Sequence, residues 1–171
     1  MFIINTAGFE GRKELEFVIN KGDFSLGRKE PVIEDNMAIN LILTRERGSA
    51  IIVQGKINGN IRLKCGRCLK EYSQPVDTSF TAVYKSSGEF TNEDSESETR
   101  MYENNEVDFS EIIAESIILE KPMKPLCGPD CRGLCPVCGQ NLNEGQCGCK
   151  REMKISPFDE LDKIKFKKGK K

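Results

Sequence analysis

The sequence predicts an α+β fold: a small antiparallel sheet or partly open β-barrel, one short helix and a C-terminal cysteine-rich module. Three observations predict it. Apolar side chains recur at every second position through much of residues 39–84, one segment after residue 108 repeats at helical spacing, and eight cysteines among 171 residues fall into close pairs. In chain order these features divide the sequence into a β-rich region over 1–85, an acidic flexible loop over 86–107, a helix over 108–121, a cysteine-rich module over 122–150 and a basic tail over 151–171.

The strands come first. Ile39, Leu41 and Leu43 keep one parity, as do Ile51, Val53 and Ile57 after Arg47-Gly48-Ser49, and Ile61, Leu63 and Cys65 after Asn58-Gly59-Asn60. Successive side chains of a strand point to opposite faces, so each run supplies one apolar face. Asn58-Gly59 predicts a hairpin, because both central residues of a type I′ turn need positive φ. Val76, Thr78, Phe80, Ala82 and Tyr84 form a further run after Pro75. Four or more antiparallel strands follow.

Net charge is −1 at pH 7, but the charges are segregated. Residues 86–111 hold one basic and nine acidic side chains, and Ser86 to Thr99 contains almost no apolar residue, which predicts a segment unable to offset its ordering entropy. Asp108 and Glu111 then have the form of an N-cap pair, and Ile112, Ile113, Ser116, Ile117 and Glu120 trace a helical stripe that Pro122 and Pro125 end. Residues 150–171 hold nine basic and four acidic side chains, a composition that stays solvated or lies along a polyanion.

The cysteines carry the chemistry. They stand as Cys65-x2-Cys68, Cys127-x3-Cys131, Cys135-x2-Cys138 and Cys147-x-Cys149, and Gly66, Gly128, Gly139 and Gly148 each follow one. Each chelating pair supplies half of a tetrahedral shell, so four pairs suit two four-thiolate zinc sites, and Cys135-Pro-Val-Cys138-Gly139 reads as a zinc knuckle. The local loop pairs Cys135, Cys138, Cys147 and Cys149; Cys65, Cys68, Cys127 and Cys131 then form the second site. The alternative is one zinc in the C-terminal cluster, with Cys65 and Cys68 serving another purpose. A helical cysteine stripe is opposed by Gly128, Pro129, Gly133 and Pro136. Disulfides would strain Cys-x-Cys and do not suit a cytosolic chain, and the spacing matches neither common ferredoxin run.

Other classes are narrowed by what is missing. The sequence has no His, which excludes Ser-His-Asp and Cys-His nucleophiles and every histidine metal site. A four-thiolate zinc is closed to substrate, carboxylates concentrate in the acidic segment, and no Gly-rich phosphate loop is present, so neither enzymatic activity nor a small-molecule substrate is expected. Met1 to Thr6 lacks a basic leader, and no apolar run reaches the roughly 18 residues of a membrane span, which predicts a cytoplasmic protein without a membrane partner. Arg62 and Lys64 share a strand face, and Arg67 and Lys70 continue across the first Cys pair, a cationic patch suited to nucleic-acid phosphates. Lys64, Arg67 and Lys70, with Arg132, Lys150 and Arg151, could instead balance the −2 charge of each filled site.

The run Cys65-Gly-Arg-Cys-Leu69, the acidic segment, the short helix, and Lys121 through Asn143 with Cys147-Gly-Cys149 resemble the bacterial YceD family, the large ribosomal RNA subunit accumulation proteins, over about residues 30–160. The resemblance implies a non-enzymatic ribosome biogenesis role in producing or stabilising large-subunit ribosomal RNA, with that RNA or its precursor as partner. Many relatives have fewer cysteines downstream, so zinc here would be a staple of a cysteine-rich branch. The alternative is a protein-binding assembly or chaperone module for a ribosomal protein, with little direct RNA contact.

Overall fold

The structure, a computed structural model, describes residues 2–21, 26, 31–45, 48–96 and 99–149. The basic tail and the cations Lys150 and Arg151 lie outside the described residues. The chain divides into two compact units, Met1–Cys131 and Arg132–Lys171.

The first unit contains, in order, β1 (Ile3–Asn5), β2 (Gly11–Ile19), β3 (Val32–Ile33), β4 (Met37–Arg45), β5 (Ile51–Lys64), β6 (Glu71–Ser86), α1 (Asn92–Glu96), β7 (Thr99–Tyr102), β8 (Glu106–Asp108) and α2 (Ser110–Leu119). A six-stranded sheet runs β2-β4-β5-β6-β7, with β3 beside β5, and β1 pairs with β8 in a separate two-stranded sheet. The alternating runs produce the core. Ile39, Leu41 and Leu43 of β4 and Ile51, Val53, Ile57, Ile61 and Leu63 of β5 are all buried, and the register sets Ile39 opposite Ile57 and Leu43 opposite Val53 on one face. Val76, Ala82 and Tyr84 of β6 join them, with Phe109, Ile113 and Ile117 from the end of the chain's first unit.

Four expectations are corrected. β6 and β7 pair in parallel, so the sheet is mixed, and among the described residues β2 and β7 do not pair to close a barrel. Asn58-Gly59 is not a turn: β5 passes straight through it, with Asn58 opposite Asp77 and Gly59 opposite Val76. The Asn58 amide donates to the Asp77 carboxylate at 2.8 Å, and a Cβ on Gly59 would stand 2.7 Å from Met37 Cγ, so glycine serves a close approach. Unbroken parity from Ile51 to Cys65 was the competing signal, and burial of that whole face outweighs local turn preference.

The third correction concerns the acidic segment. In place of a loop over 86–107, it carries α1, β7 and β8. Polar bonding does what apolar burial could not: the Asp94 carboxylate accepts from Lys85 Nζ at 2.6 Å and from the Thr91 N–H and hydroxyl at 3.0 and 2.8 Å. Tyr102 and Val107 are buried, and the Tyr102 hydroxyl donates to the Ser49 carbonyl at 2.8 Å. Fourth, α2 starts one residue later than the Asp108 cap implies. Phe109 occupies the cap position and is buried, while the Asp108 side chain accepts from the Ser110 N–H at 2.8 Å.

The second unit is built of turns. Among its described residues Leu134 bridges Asn141, Leu142 N–H donates to the Gly133 carbonyl at 2.9 Å, and Arg132 N–H donates to the Asn143 side chain at 2.8 Å.

Candidate metal centres

The turn that does connect β5 to β6 is the first cysteine pair. Cys65 N–H donates to the Lys70 carbonyl at 2.9 Å, Leu69 N–H to the Cys65 carbonyl at 3.0 Å, and Arg67 N–H points at Cys65 Sγ at 3.4 Å. A long, strongly paired hairpin thus ends in a chelating loop. The chain returns to it after α2: Gly66 N–H donates to the Pro125 carbonyl at 2.7 Å, and Arg67 Nη1 donates to the Cys131 carbonyl at 2.9 Å. These bonds bring together sulfurs 66 and 59 positions apart, Cys65 with Cys131 at 3.7 Å and Cys68 with Cys127 at 3.6 Å. A tetrahedral shell with Zn–S of about 2.3 Å has sulfur–sulfur edges of about 3.8 Å, so the spacing fits a thiolate-bound ion.

The second unit repeats the same turn. Cys135 N–H donates to the Gln140 carbonyl at 2.8 Å, Gly139 N–H to the Cys135 carbonyl at 2.9 Å, and Val137 N–H points at Cys135 Sγ at 3.4 Å. Cys147 and Cys149 complete the group. In each set of four, Cys65, Cys68, Cys127 and Cys131 or Cys135, Cys138, Cys147 and Cys149, the sulfurs lie within 4.8 Å of one another, the division that the spacing suggests. Of the four glycines that follow cysteines, only Gly139 is left-handed, at φ 75°; the equivalent position of the first turn is Leu69, at φ 61°.

Electrostatics favour a cation in both groups. Burial raises the Cys65 thiol, but the N–H groups of Cys68, Cys127 and Arg67 outweigh it and bring the pKa to about 6. The N–H groups of Cys138 and Val137 likewise bring Cys135 to about 6. Two members are pushed the opposite way by neighbouring sulfurs: Cys127 to about 12, beside Cys68, and Cys149 to about 12, beside Cys138. Four sulfurs this close cannot all ionise alone. A divalent ion removes that conflict, and an all-sulfur donor set selects a soft, tetrahedral one.

The four cations named from sequence sit at the same end of the hairpin. Arg62 is ion-paired to Glu34 at 3.1 Å, a partner that sequence reading missed because it arrives from beside β3. Arg67 is committed to the Cys131 carbonyl. Lys64 and Lys70 are exposed and make no ion pair among the described residues. Leu69 enters the sequence reading only as the end of the Cys65–Leu69 run, because its left-handed backbone angle has no signature in sequence.

Residues 53–165, which include all but the first two residues of the β5–β6 hairpin, α2 and both cysteine groups, match the family model of the large ribosomal RNA subunit accumulation protein YceD. The chain belongs to the YceD family. Proteins similar to this chain include an uncharacterized protein of Mycobacterium tuberculosis strain H37Rv, 29% identical over 119 residues, which are 68% of this chain and 58% of the relative. An uncharacterized protein of Mycobacterium leprae strain TN is 30% identical over 122 residues, 68% of this chain and 55% of that one. The Arabidopsis thaliana protein named large ribosomal RNA subunit accumulation protein YCED homolog 1, chloroplastic, is 35% identical over 60 residues, 35% of this chain and 19% of that one. The chain spans less than two thirds of the length of these curated relatives. No solved structure matches it. YceD proteins are non-catalytic, and no helix among the described residues is long and apolar enough to cross a membrane.

Proposed function

We propose that this YceD protein is a cytoplasmic, bacterial ribosome biogenesis factor that supports the synthesis, processing or stability of large-subunit ribosomal RNA. The observation that carries the reading is the family match, which spans the hairpin and both cysteine groups. Two structural zinc ions complete the molecule, each closed by four cysteines, in a cysteine-rich branch of the family. The RNA or its precursor binds at the metal-bearing end of the hairpin. Lys64 and Lys70 supply free charge there, Arg67 contributes from the turn, and Arg62 is oriented by Glu34.

The test is crosslinking in growing cells, with sequencing of attached RNA and identification of attached proteins. Enrichment of large-subunit ribosomal RNA or its precursor is expected. Crosslinks confined to a ribosomal protein would replace this reading with the assembly-module alternative.

A further inference from the structure

The two knuckles are one turn made twice, with matching hydrogen bonds and a left-handed residue at the position after the second cysteine. In one, that residue is Gly139, the residue type that adopts such a backbone without steric penalty. In the other it is Leu69. The remaining described non-glycine residues at positive φ are Asn104 and Asn105, and asparagine tolerates this region. Among the described residues Leu69 therefore stands alone as a bulky side chain in a disfavoured conformation.

Packing does not account for it. Leu69 is 59% exposed, so its side chain fills no core. Both the backbone and the exposed hydrocarbon argue for glycine, which the sister turn has. Arg67 and Lys70 flank it in the turn, with Lys64 at the end of β5, and all three residues are exposed.

Resting on the RNA reading above, we propose that the Cys65–Lys70 turn is the RNA-contacting tip, with Leu69 inserting against an unstacked base while Lys64 and Lys70 hold the flanking phosphates. A single aliphatic side chain among cations suits a polyanion whose bases are apolar on their faces. A protein partner would call for a contiguous apolar patch depleted of charge, which this turn does not offer. The target is a single-stranded loop, bulge or end of the RNA, where a base is free to accept the side chain.

The experiment uses the full chain and an in vitro transcript of large-subunit ribosomal RNA, with affinity measured across a salt series beside metal content and thermal midpoint. Leu69→Gly is expected to keep its metal and its midpoint, since it restores the sister turn's residue, yet lose affinity about tenfold with the salt slope unchanged. Leu69→Met should bind like the parent. Lys64→Ala with Lys70→Ala should flatten the slope by roughly one unit per lost contact. Leu69→Gly binding at parental affinity would overturn the role of Leu69, while a flattened slope in the lysine variant would leave the RNA reading intact. No binding by the parent protein removes both. Loss of metal or midpoint in Leu69→Gly would make Leu69 structural and overturn the inference, and loss of a captured ribosomal protein with RNA affinity unchanged would assign the tip to a protein partner.

Discussion

At the residue scale, two positions show one residue type answering different demands. Gly139 is favoured by a left-handed backbone, whereas Gly59 lies in an extended strand and is required by the proximity of Met37. The distinction is testable. Asparagine tolerates left-handed turns, so Gly59→Asn would be mild if Asn58-Gly59 were a hairpin turn. In the strand it is worse than Gly59→Ala, because Met37 is fully buried and its Cα would lie 3.2 Å from the new Cβ. We expect Gly59→Ala to cost about 1–3 kcal/mol by overpacking and Gly59→Asn more, read from urea midpoints with unchanged slope. Leu69 departs from its sister residue Gly139 in the opposite sense: its side chain is bulky where the backbone favours none, and no pattern in the sequence announces it.

At the element scale, α1 is held by charge. Lys85 and the Thr91 N–H and hydroxyl bring the Asp94 carboxyl from 3.8 down to about 2. A carboxylate whose folded pKa is depressed contributes stability in full above its unfolded pKa and loses it as pH falls through the folded value. The contribution of Asp94 should therefore be intact above about pH 4 and vanish toward pH 2. Asp94→Asn should lower stability at pH 7 and show a shallower acid-side decline over that interval, measured as denaturation midpoints at several pH values. A decline as steep as the parent's would show that α1 is not anchored through this group. Sequence reading missed this element because it weighed the shortage of apolar side chains in 86–107 and could not see Lys85, on the neighbouring strand β6, meeting Asp94. By contrast β4, β6 and α2 were legible, since each carries a periodic apolar face that the core then covers, whereas β5 was legible in its parity but read as two strands joined at Asn58-Gly59.

For the whole molecule, the two units should depend on the proposed metal unequally. The first has a core of buried aliphatic and aromatic residues, while in the second the one buried hydrophobic among the described residues is Cys135. Structural zinc binds with an apparent free energy of about 10–16 kcal/mol, enough to fold a module with no core of its own. About two zinc ions per chain are expected by elemental analysis. Cys138→Ser should make residues 132–149 protease-sensitive and leave the sheet resistant, and Cys68→Ser should free residues 120–131 while the strands persist; a resistant second unit without metal would remove the structural role. The pairing of cysteines into chelating turns, the parity of the strands and the helical stripe were settled by the sequence itself, because each depends on residues within one or two turns of chain. Only the tertiary structure decided that β7 runs parallel to β6, that Arg62 meets Glu34, and that Cys65 and Cys68 face Cys131 and Cys127. Those contacts join segments far apart in sequence, and which segments meet is set by burying one shared core, a free energy that no single segment carries.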